Sequence, residues 1–145
     1  MILVLDASVA VKWFLPFNPD EDHADLALAI LKRSVRGTVQ LVEPVHFIAE
    51  VASVLARLRP AEARGDLFNL LDIERRTLDS PEIYATALEL AQRHQHHLFD
   101  TLYHAVALHT PGARLVTADE RYHAKARAEG RISLLADWSF DAHKL

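Results

Sequence analysis

Asp6, Glu50, Asp100 and Asp119 each stand where a carboxylate is costly. Asp6 closes the apolar run Met1-Ile2-Leu3-Val4-Leu5, and Asp119 follows Leu115-Val116-Thr117-Ala118. Asp100 comes directly after Leu98-Phe99, and Glu50 is enclosed by Phe47-Ile48-Ala49 and Val51-Ala52. Charged groups beside core segments cost free energy unless something compensates them. Successive members are 44, 50 and 19 positions apart, so only folding can bring them together. Converged, they would offer hard oxygen donors to Mg²⁺ or Mn²⁺, with coordination positions left for water and a phosphate group. Such an ion lowers the pKa of a bound water and stabilises charge developing on a phosphoryl group. A carboxylate not on the ion can orient or deprotonate the attacking water. Without a cation, several carboxylates in one cleft repel each other and titrate abnormally.

A structural account competes for each residue taken alone. Asp6, Asp100 and Asp119 all precede a predicted helix, where an Asp N-cap contributes about 1 kcal/mol. Glu50 is different, because the pattern puts it in mid-helix, where it caps nothing. Its ordinary explanation is a half-exposed position paired with a cation, such as Arg57 or a residue of another helix. Glu50 therefore binds the other three into a set.

The elements that must position these acids alternate between strand and helix. Met1 to Leu5 reads as a short buried strand, and Ala7 to Leu15 as a helix ended by Pro16. Asn18-Pro19-Asp20 marks a turn, and Ala24 to Arg33 a well-buried helix. Gln40 to Glu43 is the second strand. Pro44 suits the first position of a helix running to Leu58, with Phe47, Val51, Val54 and Leu58 as its core stripe. Pro60 opens a further helix to Arg75, with Leu67, Leu70 and Leu71 facing inward. Thr77 to Asp79 is a short strand candidate. Ser80-Pro81 caps and starts a helix to His94. A helix over Asp100 to His109 follows, then strands at Leu115–Thr117 and Ile132–Leu135 with a helix from Glu120 to Glu129 between them. This alternation predicts one α/β domain over residues 1–145, with a mostly parallel sheet and right-handed crossovers. Such sheets bind ligands beyond the carboxyl ends of their strands, where Asp6 and Asp119 are predicted to fall.

Composition narrows the function classes. The 145 residues include no cysteine, which excludes disulfides, zinc–thiolate sites and cysteine nucleophiles and suits a reducing cytoplasm. The apolar opening is five residues long with no basic segment before it, unlike a signal peptide. No apolar run approaches the roughly 18 residues of a membrane span. A net charge of −4 argues against broad nonspecific nucleic-acid affinity but leaves room for a local basic groove.

Four segments carry a family resemblance: Val4-Leu5-Asp6-Ala7-Ser8-Val9-Ala10-Val11-Lys12-Trp13; Ala49-Glu50-Val51-Ala52-Ser53-Val54-Leu55; Phe99-Asp100-Thr101-Leu102-Tyr103-His104-Ala105-Val106-Ala107-Leu108; and Leu115-Val116-Thr117-Ala118-Asp119-Glu120-Arg121. In these, in their order and at their spacing, the chain resembles the PIN-domain ribonucleases, and within them the VapC toxins of toxin–antitoxin pairs. The resemblance implies a three-layer α/β/α sandwich and a Mg²⁺- or Mn²⁺-dependent endoribonuclease. It implies Asp6, Glu50, Asp100 and Asp119 as the acidic catalytic positions, with Asp6, Asp100 and Asp119 on the metal. Ser8, Thr101 and Thr117 match supporting polar positions. Also implied are an RNA substrate, a homodimer, and a small VapB-like antitoxin whose tail enters the groove, where a basic side chain competes with metal for the carboxylates.

Other residues are weighed against plainer roles. Lys12, Arg57 and Arg121, with Arg59, Lys125 and Arg127, are candidates for RNA phosphate contact, set against a solvated helix face. Trp13 is assigned to the core rather than to base stacking. His94, His96 and His97 are taken as helix-end histidines near the C-terminal dipole rather than a metal site. His104 lies one turn after Asp100 and receives no catalytic role. Three alternatives remain: a non-toxin PIN nuclease of RNA processing, a catalytically idle binding module, and an aspartyl-phosphate enzyme of the haloacid-dehalogenase type. The last needs a second acid two residues after the first, where this chain has Ser8.

Overall fold

The computed structural model describes residues 1–143. Five parallel strands make the central sheet: β1 (Ile2–Leu5), β2 (Gln40–Glu43), β3 (Arg76–Thr77), β4 (Ala113–Thr117) and β5 (Ile132–Leu134), in spatial order β3-β2-β1-β4-β5. Helices cover both faces, completing the expected three-layer α/β/α arrangement. They are α1 (Ala7–Ala10, continued as a 3₁₀ turn over Val11–Phe14), α2 (Ala24–Val35), α3 (Phe47–Leu58), α4 (Ala63–Leu71), α5 (Pro81–His94), α6 (Leu98–His109) and α7 (Glu120–Ala126). None of these is long and apolar enough to cross a membrane.

The strand order contains the feature that matters for function. From β1 the chain moves outward to β2 and β3, then returns to the other side of β1 for β4 and β5. Neighbouring connections therefore diverge between β1 and β4, and crevices open at such reversals beyond the carboxyl ends of the strands. Leu5 pairs with Val116 there, and the Asp6 amide donates to the Val116 carbonyl at 3.1 Å. Asp6 and Thr117 are thus delivered to the same rim by adjacent strands. The strands bury Leu3, Val4, Leu5, Leu41, Val42, Leu115 and Val116 almost completely, as expected of a sheet covered on both faces. Trp13 joins the core as anticipated, its indole N–H donating to the Ala27 carbonyl at 2.9 Å.

Several boundaries differ from expectation. Pro44 does not start α3; it opens a single turn, with the Phe47 amide donating to its carbonyl, and the helix begins at Phe47. The core stripe of α3 is Phe47, Val51 and Leu55, while Leu58 is 41% exposed. In α4, which spans only Ala63–Leu71, Leu70 alone of the three predicted leucines is fully buried and Leu71 is exposed. The third strand lies at Arg76–Thr77 rather than Thr77–Asp79. The cap of α5 is as read: Ser80 accepts from the Ile83 amide, with Pro81 at the first helical position.

Glu43, at the end of β2, is a buried carboxyl that the sequence pattern did not single out. Its Oε1 accepts from the Leu5 amide at 2.8 Å, while its Oε2 has no partner. Burial pushes its pKa well above the usual carboxylate range, and the nearby Asp6 charge adds to this. For an acid with a raised folded pKa, the stabilising neutral form is fully present below about pH 4.5 and is lost as pH rises through the raised value. Glu43→Gln keeps the acceptor for Leu5 and cannot ionise. Denaturant unfolding should show it near wild type at pH 5 and more stable than wild type at pH 9. A variant equally destabilised at both values would contradict this account.

Candidate active site

Asp6 occupies the N-cap position of α1 with extended backbone, yet its side chain caps nothing. Its Oδ2 instead accepts from the Thr117 hydroxyl at 2.8 Å and the Ser8 hydroxyl at 2.9 Å. Both hydroxyls are in turn fixed by the backbone after β4: Ser8 Oγ accepts from the Ala118 amide and Thr117 Oγ1 from the Asp119 amide. Each hydroxyl spends its one proton on Asp6 and takes an amide proton on its lone pair. The carboxylate is thereby locked across the β1–β4 boundary. Burial nevertheless raises its pKa to about 6; the two hydroxyl bonds pull it down, and the Asp100 and Glu50 charges push it further up.

Glu50 lies in the first turn of α3 rather than in mid-helix, and Arg57 is not its partner. Its Oε2 accepts from the buried Tyr103 hydroxyl at 2.9 Å and lies 3.1 Å from His46 Nε2. That same His46 nitrogen donates to the Phe99 carbonyl at 2.7 Å. Asp100 is not an N-cap. Helix α6 begins two residues earlier, with His97 as its cap residue, and the His97 carbonyl takes the Asp100 and Thr101 amides. The Asp100 side chain is consequently spared from capping. Burial and the Glu50 charge raise its pKa, against a lowering from His96. Asp119 caps α7, its Oδ1 accepting from the Tyr122 amide at 2.9 Å, while Oδ2 is left facing His96 at 3.7 Å.

The four acids therefore converge, but as two overlapping groups joined at Asp100. Carboxylate oxygens of Asp6, Glu50 and Asp100 lie within 4.8 Å of one another, and His96, Asp100 and Asp119 form the second such group. Among the described residues no lysine or arginine forms an ion pair with any of the four acids. Burial is the main reason that the pKa values of Asp6 and Asp100 are raised, and the charges of the neighbouring acids add to it.

Family comparison bears on this geometry. A model of the PIN domain matches residues 3–128. The chain belongs to the PIN domain family. Six chains of solved structures also match. One is VapC20 of Mycobacterium tuberculosis, described as a sarcin–ricin-loop-cleaving toxin. It is 17% identical, with a TM-score of 0.64, over 90% of this chain and 99% of that one. At that identity the likeness establishes the shared fold. No curated protein matches.

Several expected contributors to this PIN-domain site stand elsewhere. Thr101 is fully buried and donates to the Ala87 and Leu98 carbonyls, so it ties α6 to α5 instead of supporting Asp100. Lys12 is buried and paired with Glu21 at 2.7 Å, which removes it as a phosphate contact. Arg59 is committed to Asp66 at 2.7 Å. Arg57 and Arg121 are exposed. Arg121 lines an open groove with Lys125, His96 and His97. His104 is buried in a structural role, with Nε2 donating to the Gly130 carbonyl and Nδ1 accepting from the Tyr122 hydroxyl. Its pKa is lowered by burial. Gly130 turns with φ +83°, a conformation that suits glycine and aims that carbonyl at the ring. His94 pairs with Glu129 at 2.8 Å as a helix-end histidine, but His96 does not fit that reading.

The pattern missed His46 and Tyr103, and it set His96 aside as a helix-end histidine. All three sit three or four positions from an acid: His46 before Glu50, Tyr103 after Asp100, His96 before Asp100. Only Tyr103 shares a helix with its acid, where that spacing puts side chains on one face; His46 precedes α3 and His96 lies between α5 and α6, so the spacing was a weak signal.

Proposed function

We propose that this protein is a divalent-cation-dependent endoribonuclease that hydrolyses RNA phosphodiester bonds and serves as the toxin of a toxin–antitoxin pair. One observation carries the reading: Asp6, Glu50 and Asp100 crowd their oxygens within 4.8 Å at the sheet's reversal point and, among the described residues, no lysine or arginine is paired with them; only His46 beside Glu50 and His96 beside Asp100 approach. Membership of the PIN family supports the nuclease chemistry, and the likeness to a VapC toxin supports the biological role.

A set of hard carboxylate oxygens fits Mg²⁺ or Mn²⁺. Asp6, Asp100 and Asp119 would hold the ion. When bound, it supplies positive charge at the scissile phosphate and acidifies its own water. The protein's residues supply the rest. Ser8 and Thr117 hold Asp6 by one oxygen. Tyr103 fixes Glu50, leaving this partly exposed carboxylate to orient water for in-line attack and to accept its proton. The water oxygen bonds to phosphorus as the bond from phosphorus to the 3′-oxygen breaks. That oxygen takes a proton from solvent, leaving a 5′-phosphate and a 3′-hydroxyl. Arg121 and Lys125 line the basic side of the groove and would meet phosphates of the strand.

On this reading the partners are RNA, a second copy of the chain, and a small VapB-like antitoxin that places a basic side chain among the carboxylates. The absence of cysteine fits work in the cytoplasm. The test is cleavage mapping on total RNA with Mg²⁺ or Mn²⁺. Discrete 5′-phosphate ends should accumulate with wild type and be absent with Asp100→Asn or after thorough chelation. Equal cleavage by wild type and Asp100→Asn would overturn the proposal.

A further inference from the structure

We propose that His46 is a positioning residue: together with Tyr103 it restrains Glu50, keeping that carboxylate off a cation held by Asp6, Asp100 and Asp119 and reserving it for water. The restraint follows from geometry; the use made of the reserved carboxylate rests on the nuclease reading above.

Glu50 stands close enough to be a ligand. One of its oxygens lies within 4.8 Å of oxygens of both Asp6 and Asp100. A divalent ion among those acids attracts any anion so near, and Mg²⁺ and Mn²⁺ accept carboxylate oxygen readily. On the ion, the carboxylate would be a weaker base, because adjacent positive charge favours its ionised form. A base at this distance therefore has to be held back.

Two side chains can do so, and both meet the same oxygen. The Tyr103 hydroxyl donates to Glu50 Oε2 at 2.9 Å, and His46 Nε2 lies 3.1 Å from it. His46 is itself anchored, since Nε2 donates to the Phe99 carbonyl at 2.7 Å. That carbonyl belongs to the residue before Asp100, so the ring ties Glu50 of α3 to the backbone that carries Asp100 in α6. The ring also lies against two aromatic side chains one turn apart on α6, its centroid 5.7 Å from that of Phe99 and 4.8 Å from that of Tyr103.

Plainer roles do not account for an imidazole here. His46 occupies the cap position of α3, yet its side chain makes no cap bond. Its Nδ1 is buried without a hydrogen-bond partner among the described residues, so the polar contacts of the ring fall at Nε2, between Glu50 and Phe99. An unpaired buried ring nitrogen costs free energy. An apolar side chain would pack α3 on α6 without that cost. What Nε2 holds explains the histidine.

The experiment uses the full chain, stripped of metal and titrated with Mn²⁺ by calorimetry, while the water-proton relaxivity of the bound Mn²⁺ reports its waters. In His46→Leu the restraint is broken and Glu50 should join the ion. Mn²⁺ should then bind about tenfold more tightly, the lower end of what contacts that orient ligands are worth, and relaxivity should fall as water is displaced. His46→Gln, whose amide can reach where Nε2 stood, should stay near wild type in both. Measured against Glu50→Gln alone, adding His46→Leu should bring no gain. A merely structural loss would weaken Mn²⁺ binding instead. Unchanged or weaker Mn²⁺ binding in His46→Leu, or a gain that survives Glu50→Gln, would overturn the inference. Should His46→Leu fail to fold, His46→Asn carries the test, because its amide ends near the place of Nδ1 and falls short of Glu50. The same gain supports the restraint, and wild-type affinity overturns it. Mn²⁺-supported RNA cleavage, measured alongside, separates the two readings. In a wild type that cleaves, His46→Leu should lower kcat by roughly 10–100-fold with KM unchanged, and an unchanged kcat overturns the assignment. His46-dependent Mn²⁺ binding without cleavage removes only the nuclease. Cleavage with His46-independent Mn²⁺ binding removes only this inference.

Discussion

Asp6→Asn should abolish Mg²⁺-dependent RNA cleavage and at the same time make the metal-free protein more stable. The two effects have one origin. Asp6 is held at the rim of β1 by two hydroxyls, but its burial raises the folded pKa from 3.8 to about 6. Ionising it at neutral pH therefore costs folding free energy, on the order of 3 kcal/mol for a shift of that size. The sign follows from the raised value. Stability from the neutral carboxyl is complete below about pH 3.8 and is lost as pH rises through about 6. Asparagine has nearly the same shape, can accept from Thr117 and Ser8, and never ionises. Denaturant midpoints of variant and wild type should coincide near pH 4 and separate in favour of the variant by pH 7. Mg²⁺ should narrow the gap by stabilising only wild type, since a ligand that binds the folded form alone raises its stability. A variant that cleaves RNA normally, or a stability difference that does not vary with pH, would sink this account.

Thr117→Val tests the support of that carboxylate with a nearly isosteric change. The Thr117 hydroxyl is fully buried, donates to Asp6 at 2.8 Å and accepts from the Asp119 amide at 3.0 Å. Valine fills the same space but leaves the partly buried Asp119 amide without its acceptor and removes one of the two bonds that lower the Asp6 pKa. An unsatisfied buried donor costs about 1–3 kcal/mol, so the variant should lose stability where Asp6→Asn gains it. Disturbing a group that orients a metal ligand typically costs 10–100-fold in metal affinity or activity. We expect a loss of that size in Mg²⁺ affinity, read by calorimetry, with Thr117→Ser recovering most of it. Wild-type affinity in Thr117→Val would show that the hydroxyl has no part in holding Asp6 for a cation.

Much of the framework was legible in the chain itself. Apolar runs located β1 and β2 to within a residue, and the Ser80-Pro81 pair fixed the start of α5, because burial on both faces and cap chemistry are local demands. Periodicity was less reliable for α3 and α4. It says which face of a helix is apolar but not whether anything covers it, and Leu58 and Leu71 are exposed. The expected helix start at Asp100 falls two residues inside α6, which begins at Leu98. With Leu98 already helical, Asp100 is free of capping.

The supporting hydroxyls divide along the same line. Thr101 follows Asp100 directly on a helix, where successive side chains point about 100° apart, so it turns into the packing against α5. Thr117 lies two positions before Asp119, and its placement at the end of β4 brings it against Asp6 of the neighbouring strand. Side-chain direction, not proximity in sequence, separates them. The types and order of the acids, the elements that carry them and the family resemblance were determined by the sequence alone, since all of these are written in residue type and local period. Which acids share an ion's space, that Tyr103 and His46 hold Glu50, and that His96 faces Asp100 and Asp119 were decided only by the tertiary structure. Those meetings depend on the order β3-β2-β1-β4-β5, which sets β1 against β4 across a separation of more than a hundred residues that no local pattern can span.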